Sequence, residues 1–452
     1  MFTSIPSLDS ILQCLLPAFT QPSFQTHVEV LLGWVMCLGK RTEYAVFETI
    51  ESGTPVSRKK RHPFDRFYNF FSRSAWTVQE LAREVAATIV IRLNPRGVLH
   101  LVVDDTLLHK RGKLVYGLGW FRDAVASTAK RVATASGNHW VVVGLAIQIP
   151  GTEKIYCLPI HAKLHLPGKN QPSEATLAKE MLQDILAWFP DRKPVFIGDG
   201  AYSANNLLKD LDERVTYVGV MRSDAEIYTP TPPKQPKSKR GPKPQKGTRL
   251  PSPREAMKKA DRSRSGNGPW TWQTVEATAY GVTRSLQVIS FLAVWPKVLE
   301  LVPILVVLVR DPEGKFKDKY LFTTDVNAEL GWVISTFSRR WSIEVAFKSS
   351  KQVMGIQSPQ HWCQESIEKL SPWVWLMQSI VMTWYITEGC KLPEARSARK
   401  RLGDWDTEWS LRHMLRVLRS ATLRQTINPI SATKADLLEL LRQLENHLNL
   451  AT

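Results

Sequence analysis

Two short apolar runs in this chain end in aspartate. Residues 98–103 (VLHLVV) lead into Asp104-Asp105-Thr106, and residues 193–197 (KPVFI) lead into Gly198-Asp199-Gly200. Runs this short and this rich in β-branched residues read as buried strands. A carboxylate at the end of such a strand is displayed where open α/β sheets build their sites. Two of them on neighbouring strands can share Mg²⁺, a hard cation that takes oxygen ligands. A lone strand-end aspartate more often starts a turn or caps a helix, so the assignment needs a third group. Residues 337–351 supply one. At about 100° per residue, Phe337, Arg340, Glu344 and Lys351 fall within an arc of about 60° on one helix face. That stripe offers a third carboxylate, a guanidinium suited to bidentate phosphate contact, an ammonium and an aromatic ring. A solvated face stitched by Arg340–Glu344 pairing, worth ~0.2–0.5 kcal/mol, would carry the same letters.

The elements that must position these groups follow from the pattern of the chain. Residues 1–96 read as helical. A breaker cluster, Asn94-Pro95-Arg96-Gly97, separates them from the first strand. Strands are expected at 98–103, 139–149, 154–166, 193–197 and 215–221, with helices at 173–189 and 203–211. Residues 230–254 hold eight prolines, eight lysines or arginines and no acid, a composition that cannot bury a core. Strand-like segments resume over 270–309 and at 320–324. One long helix is expected from about 327 to 353, and helices rich in tryptophan from 366 onward. The expected organisation is therefore a helical N-terminal domain (1–96, a candidate for DNA binding) and the first part of a catalytic core (97–225). A basic Pro-rich linker and β-rich insertion (226–309) come next, then the second part of the core with the glutamate-bearing helix (310–360). A helical C-terminal region (361–452) closes the chain as a candidate for dimerisation.

Composition narrows the function class. The 452 residues carry 60 Lys plus Arg against 42 Asp plus Glu, a net charge of +18. Such an excess favours an anionic partner such as nucleic acid or a membrane surface. The longest apolar run, residues 301–309, is far short of the ~20 residues a membrane helix needs. No lysine or arginine precedes Lys40, so a secretory n-region is not expected, and five scattered cysteines fit a reducing cytosol. Lys110 and Arg111, just after the first acidic pair, are candidate phosphate contacts.

The spacing aromatic-x2-Arg-x3-Glu-x6-Lys, within SRRWSIEVAFK, resembles the YREK signature of bacterial insertion-sequence transposases of the DDE type. In that family the first acid stands directly before Thr, which selects Asp105 over Asp104. The second follows a strand shortly before a helix, as Asp199 does in VFIGDGAY. Phe337 replaces the usual Tyr. The resemblance implies an α/β fold, a ribonuclease H-like mixed sheet with a β-rich insertion between helical N- and C-terminal regions. It implies a catalytic and metal-binding set of Asp105, Asp199 and Glu344 holding two Mg²⁺ ions, with Mn²⁺ as substitute. Arg340, Lys351, Phe337, Lys110 and Arg111 would contact DNA. The implied activity is cut-and-paste transposition: an endonuclease step at the element's end, in this group commonly through a hairpin, then strand transfer. The partners would be double-stranded DNA, both terminal inverted repeats and target, and a second copy of the chain. The setting would be a bacterial cytoplasm. A metal-dependent nuclease that cuts without joining, or a non-enzymatic DNA-binding relic, are the competing expectations.

Overall fold

The computed structural model describes residues 4–52, 64–123, 126–128, 131–149, 152, 154–230, 246–262, 270–279, 281–396 and 409–427. Five helices open the chain: α1 (Pro6–Leu12), α2 (Gln21–Met36), α3 (Glu43–Ser52), α4 (Phe64–Ser72) and α5 (Val78–Leu93). Strands β1 (His100–His109), β2 (Gly119–Arg122), β3 (Thr134–Gln148) and β4 (Ile155–His165) follow, then α6 (Glu174–Trp188), β5 (Val195–Ile197), α7 (Asn205–Leu208) and β6 (Thr216–Val220). After α8 (Pro253–Arg262) come β7 (Gln273–Ala279), β8 (Val282–Val294), α9 (Pro296–Leu299), β9 (Pro303–Arg310) and β10 (Lys319–Thr323). Helices α10 (Leu330–Ser338), α11 (Trp341–Gln352), α12 (Gln364–Thr387) and α13 (Leu411–Ile427) end the described chain. Most of the proline-rich basic stretch, residues 231–245, lies outside the described residues, as does the basic run at 58–62.

All ten strands described join one sheet, ordered β2-β3-β1-β5-β6-β10-β9-β8-β7, with β4 on the outer edge of β3. β1 runs antiparallel to β3, and β3 to β4, while β1, β5 and β6 are parallel. This is the mixed α/β sheet, with helices at both ends of the chain, that the ribonuclease H-like expectation describes. The strands of the insertion extend that same sheet, because β10 returns antiparallel to the free edge of β6 and carries β9, β8 and β7 outward.

The apolar runs predicted as strands are buried on both faces, as helices on each side of a sheet require. Strand alternation sends neighbouring residues of β3 to opposite sides. Trp140 packs edge-on against Trp375 of α12, ring centroids 5.7 Å apart, while His139 faces the start of α6. Helix α12 is buried almost throughout. Its Ser379 hydroxyl donates to the Pro159 carbonyl in β4, and its Trp373 Nε1 donates to His27 Nδ1 in α2. The sheet and the N-terminal helices are thus locked to one central helix.

Two expectations about length differ. The first strand runs on to His109, because its antiparallel pairing with β3 continues long after β5 has ended at Ile197. Asp104 and Asp105 therefore lie within β1, past its last rung with β5. The long helix expected at 327–353 is two helices. Between them the amides of Arg339 and Arg340 bond to Thr336 and Phe337, three residues back, so the backbone tightens to a 3₁₀-type turn. The Ser338 and Ser342 hydroxyls take the carbonyls of Ser335 and Arg339, competing with the regular ladder.

Candidate active site

Alternation along β1 sends Asp104 and Asp105 to opposite faces, level with Val142 and Val141 of β3. Asp199 lies two residues past the end of β5, and its charge acts on Asp104 and Arg340. Close packing fixes the turn after β5: a Cβ on Gly198 would come 2.7 Å from both Tyr202 Cβ and Tyr217 Oη. Asp199 then accepts the Ala201 amide on Oδ1 at 2.8 Å, a local turn that orients its carboxylate.

Helix α11 brings the third acid to the same face. Arg340, at its N-terminal end, bridges two carboxylates: Nη1 donates to Asp104 Oδ2 and Nη2 to Glu344 Oε1, each at 2.6 Å. Arg340 and Asp104 are largely buried, with 17% and 15% of their side chains exposed. Burial pushes the Asp104 carboxyl up to about 7, against the pull of Arg340 and helped by the charges of Asp105 and Asp199. Burial depresses the Arg340 guanidinium, but Asp104 and Glu344 outweigh it and hold it above its ordinary value. Lys319 of β10, which the sequence pattern did not single out, adds a positive charge beside Arg340 and Glu344; burial lowers its pKa. Asp104, Asp199 and Glu344 offer oxygen ligands of the kind a hard divalent cation takes.

Asp105 faces away from this group. Its Oδ2 lies 2.7 Å from His139 Nε2, and its Oδ1 accepts from the Tyr202 hydroxyl at 3.4 Å. Neither partner stands out in the sequence; the strand that carries His139 is expected there, but its register is not. Phe337 is 7% exposed and packed in the core, so its ring presents almost no surface to a ligand.

The remaining candidates converge elsewhere. Lys110, Arg111 and Lys351 line an open cleft of ≈ 840 Å³ together with Lys40, His109 and Lys113. Lys351 stands seven residues beyond Glu344, about 10 Å along α11. Burial brings Lys110 down to about 8 and also lowers Lys351. Lys110 Nζ is held by the Pro359 carbonyl at 2.6 Å, while Arg111 and Lys113 are exposed. His109 Nε2 is 3.0 Å from Asp123 Oδ2. Removing Arg111 and Lys113 as alanines is expected to weaken binding to any DNA sequence. The slope of log K against log salt should flatten by ~0.9 for each phosphate no longer neutralised. Identical slopes for parent and double variant would mean the cleft holds no phosphate.

The tryptophans of the insertion are engaged within the protein. Trp295 is buried against Phe322, Trp270 packs on Phe291, and Trp272 lies under the Arg310 guanidinium with its Nε1 donating to Asp261. No helix among the described residues is long and apolar enough to cross a membrane.

Comparison with known proteins bears on this arrangement. The profile of the DDE superfamily endonucleases matches residues 14–281, a stretch that holds Asp104, Asp105 and Asp199 and ends before Glu344. No curated protein is significantly similar to the chain. Among solved structures, the cryo-EM structure of a piggyBac transposase synaptic complex with hairpin DNA is similar at a TM-score of 0.39 and 13% identity. That alignment covers 95% of this chain and 78% of the other. With more than half of its length matched by one family, this chain belongs to the DDE superfamily of endonucleases.

Proposed function

We propose that the chain is a DNA transposase of the bacterial insertion-sequence kind, with Asp104, Asp199 and Glu344 as its metal-binding carboxylates. The observation that carries this reading is the Arg340 bridge between Asp104 of β1 and Glu344 of α11, with the charge of Asp199 acting on both Asp104 and Arg340. We put Asp104 where the Asp-Thr pattern gave Asp105, because Arg340 ties Asp104 to Glu344. The carboxylates would hold Mg²⁺, with Mn²⁺ as substitute, in a two-ion arrangement. Bound there, such ions make water a nucleophile at neutral pH and stabilise the oxygen that departs from phosphorus.

The chain's own residues then do three things. Asp104, Asp199 and Glu344 supply negative oxygens on one face of the sheet. Arg340 neutralises two of them while DNA is absent and holds their rotamers. Lys351 and the residues of the cleft take the phosphodiester backbone and set the strand's direction across the acids. Water adds to the phosphorus at the element's end and the P–O3′ bond breaks, freeing a 3′-hydroxyl. That hydroxyl in turn attacks a target phosphodiester, releasing a target 3′-oxygen, so bonds to phosphorus are exchanged without a covalent protein intermediate. Cutting both ends of an element together calls for two copies of the chain, with two-fold symmetry the default.

The test is an assay with two terminal-repeat DNAs, a target plasmid and Mg²⁺. Joined product is expected from the parent. A protein that cuts these ends yet never joins them, across metals and targets, is a nuclease with the same carboxylates.

A further inference from the structure

We propose that His139, His165 and Glu174 form a binding site for a transition-metal dication, zinc first among them, on the sheet face opposite the three carboxylates. Its separation from the cleavage site rests on the proposed reading that takes Asp104 rather than Asp105 as the ligand there.

Its geometry comes from the register of two strands and the start of a helix. His139 of β3 is directly opposite His165 of β4, so both imidazoles stand on one face. Glu174, the first residue of α6, comes down on the same spot because Ser173 caps that helix and fixes its start. Three ligand atoms converge. His139 Nδ1 lies 3.3 Å from His165 Nδ1 and 3.7 Å from Glu174 Oε1, and His165 Nδ1 lies 3.5 Å from that same oxygen. A tetrahedral ion with bonds of ~2.0–2.1 Å has ligand–ligand edges of about 3.3–3.4 Å, so these atoms already lie near the corners of such a polyhedron.

A proton count favours a cation at the centre. Asp105 Oδ2, 2.7 Å from His139 Nε2, accepts a hydrogen from that nitrogen. In the neutral ring this leaves His139 Nδ1 as a lone pair. Glu174 brings a carboxylate, an acceptor only. His165 Nδ1 is left to supply at most one hydrogen for two acceptors, whereas a metal ion would satisfy all three atoms at once. The Asp105–His139 pair is also the arrangement in which an outer carboxylate orients a metal-bound imidazole and raises its basicity. Phe121 stacks on His139 with centroids 4.8 Å apart and walls one side. The histidine side chains are 10% and 16% exposed and Glu174 37%, so a fourth position opens to water on the glutamate's side. Two imidazoles and one carboxylate suit zinc better than magnesium. Such an ion would tie β3, β4 and α6 together behind β1.

The experiment uses the full chain, stripped with EDTA, loaded with Zn²⁺ in excess Mg²⁺ and passed through gel filtration, with retained zinc measured by mass spectrometry. Co²⁺ serves as a second probe through its visible absorption. The parent is expected to retain one equivalent and to show the intense bands of four-coordinate cobalt. His165→Gln and Glu174→Gln, each close in size to the residue replaced and checked for folding by circular dichroism, are expected to emerge without it. Asp105→Asn should bind ~10–100-fold more weakly, the usual cost of losing a partner behind a metal-bound histidine. A parent that emerges free of zinc would overturn the proposal, as would folded variants that retain as much as the parent. Because zinc retention is read without DNA, loss of cleavage in a protein that still binds zinc would count against the proposed function alone.

Discussion

Asp104→Asn is expected to abolish metal-dependent strand cleavage, with a drop of at least ~10³-fold, while DNA binding and the circular dichroism spectrum stay near those of the parent. The size follows from losing one of three metal-binding carboxylates, which forfeits several kcal/mol of transition-state stabilisation at ~1.36 kcal/mol per factor of ten. Glu344→Gln should behave alike. Asp105→Asn should lose far less, within ~10-fold, because a side chain on the opposite face reaches the reaction only through strand positioning. The measurement is initial cleavage rate on terminal-repeat DNA in saturating Mg²⁺. A dead Asp105→Asn beside an active Asp104→Asn would reverse the assignment and restore the residue before Thr106 as the ligand.

The second large effect concerns Arg340 and is read in stability. Removing one partner of a buried ion pair leaves the other charge uncompensated, a loss of ~3–5 kcal/mol when burial is complete. Arg340 serves two carboxylates and retains 17% exposure, so Arg340→Ala should cost about 3 kcal/mol in EDTA, at the low end of that range. Arg340→Lys keeps the charge but cannot reach both acids with a planar fork, and should fall between parent and alanine variant. Added Mg²⁺ should raise the melting temperature of Arg340→Ala more than that of the parent, since it then supplies the missing positive charge. Denaturant melts with and without Mg²⁺ check both points. A variant as stable as the parent in EDTA would show the bridge to be a surface pair of little consequence.

The sequence made the fold class legible through runs such as 98–103 and 139–149, whose apolar, β-branched letters leave few alternatives to buried strands. It also placed Arg340 beside Glu344, because a helix face is a local property. What it could not carry was contact between distant segments. Whether Asp104 or Asp105 meets Arg340 and Glu344 depends on how β1 packs against α11, a contact between segments more than two hundred residues apart. The same limit hid His139, His165 and Glu174, which lie on three elements. Phe337 shows the opposite failure. A helical wheel places it with Arg340 and Glu344, but the 3₁₀-type turn between α10 and α11 breaks the wheel, and its ring enters the core.

The burial of α12 bears on when the protein can act. Trp34 Nε1 in α2 donates to the Met354 carbonyl, and His27 accepts from Trp373, so the first helices of the chain find their partners more than three hundred residues later. A nascent chain emerging from the ribosome has no such partners to bury against. It also carries Asp104 and Asp199 through the whole interval before Glu344 appears, roughly 7–30 s at ~5–20 residues per second. On the proposed assignment the incomplete polypeptide is therefore unable to cut DNA while it is being made, and a product truncated before α11 would lack Lys351 and the 357–362 wall of the cleft together with Glu344.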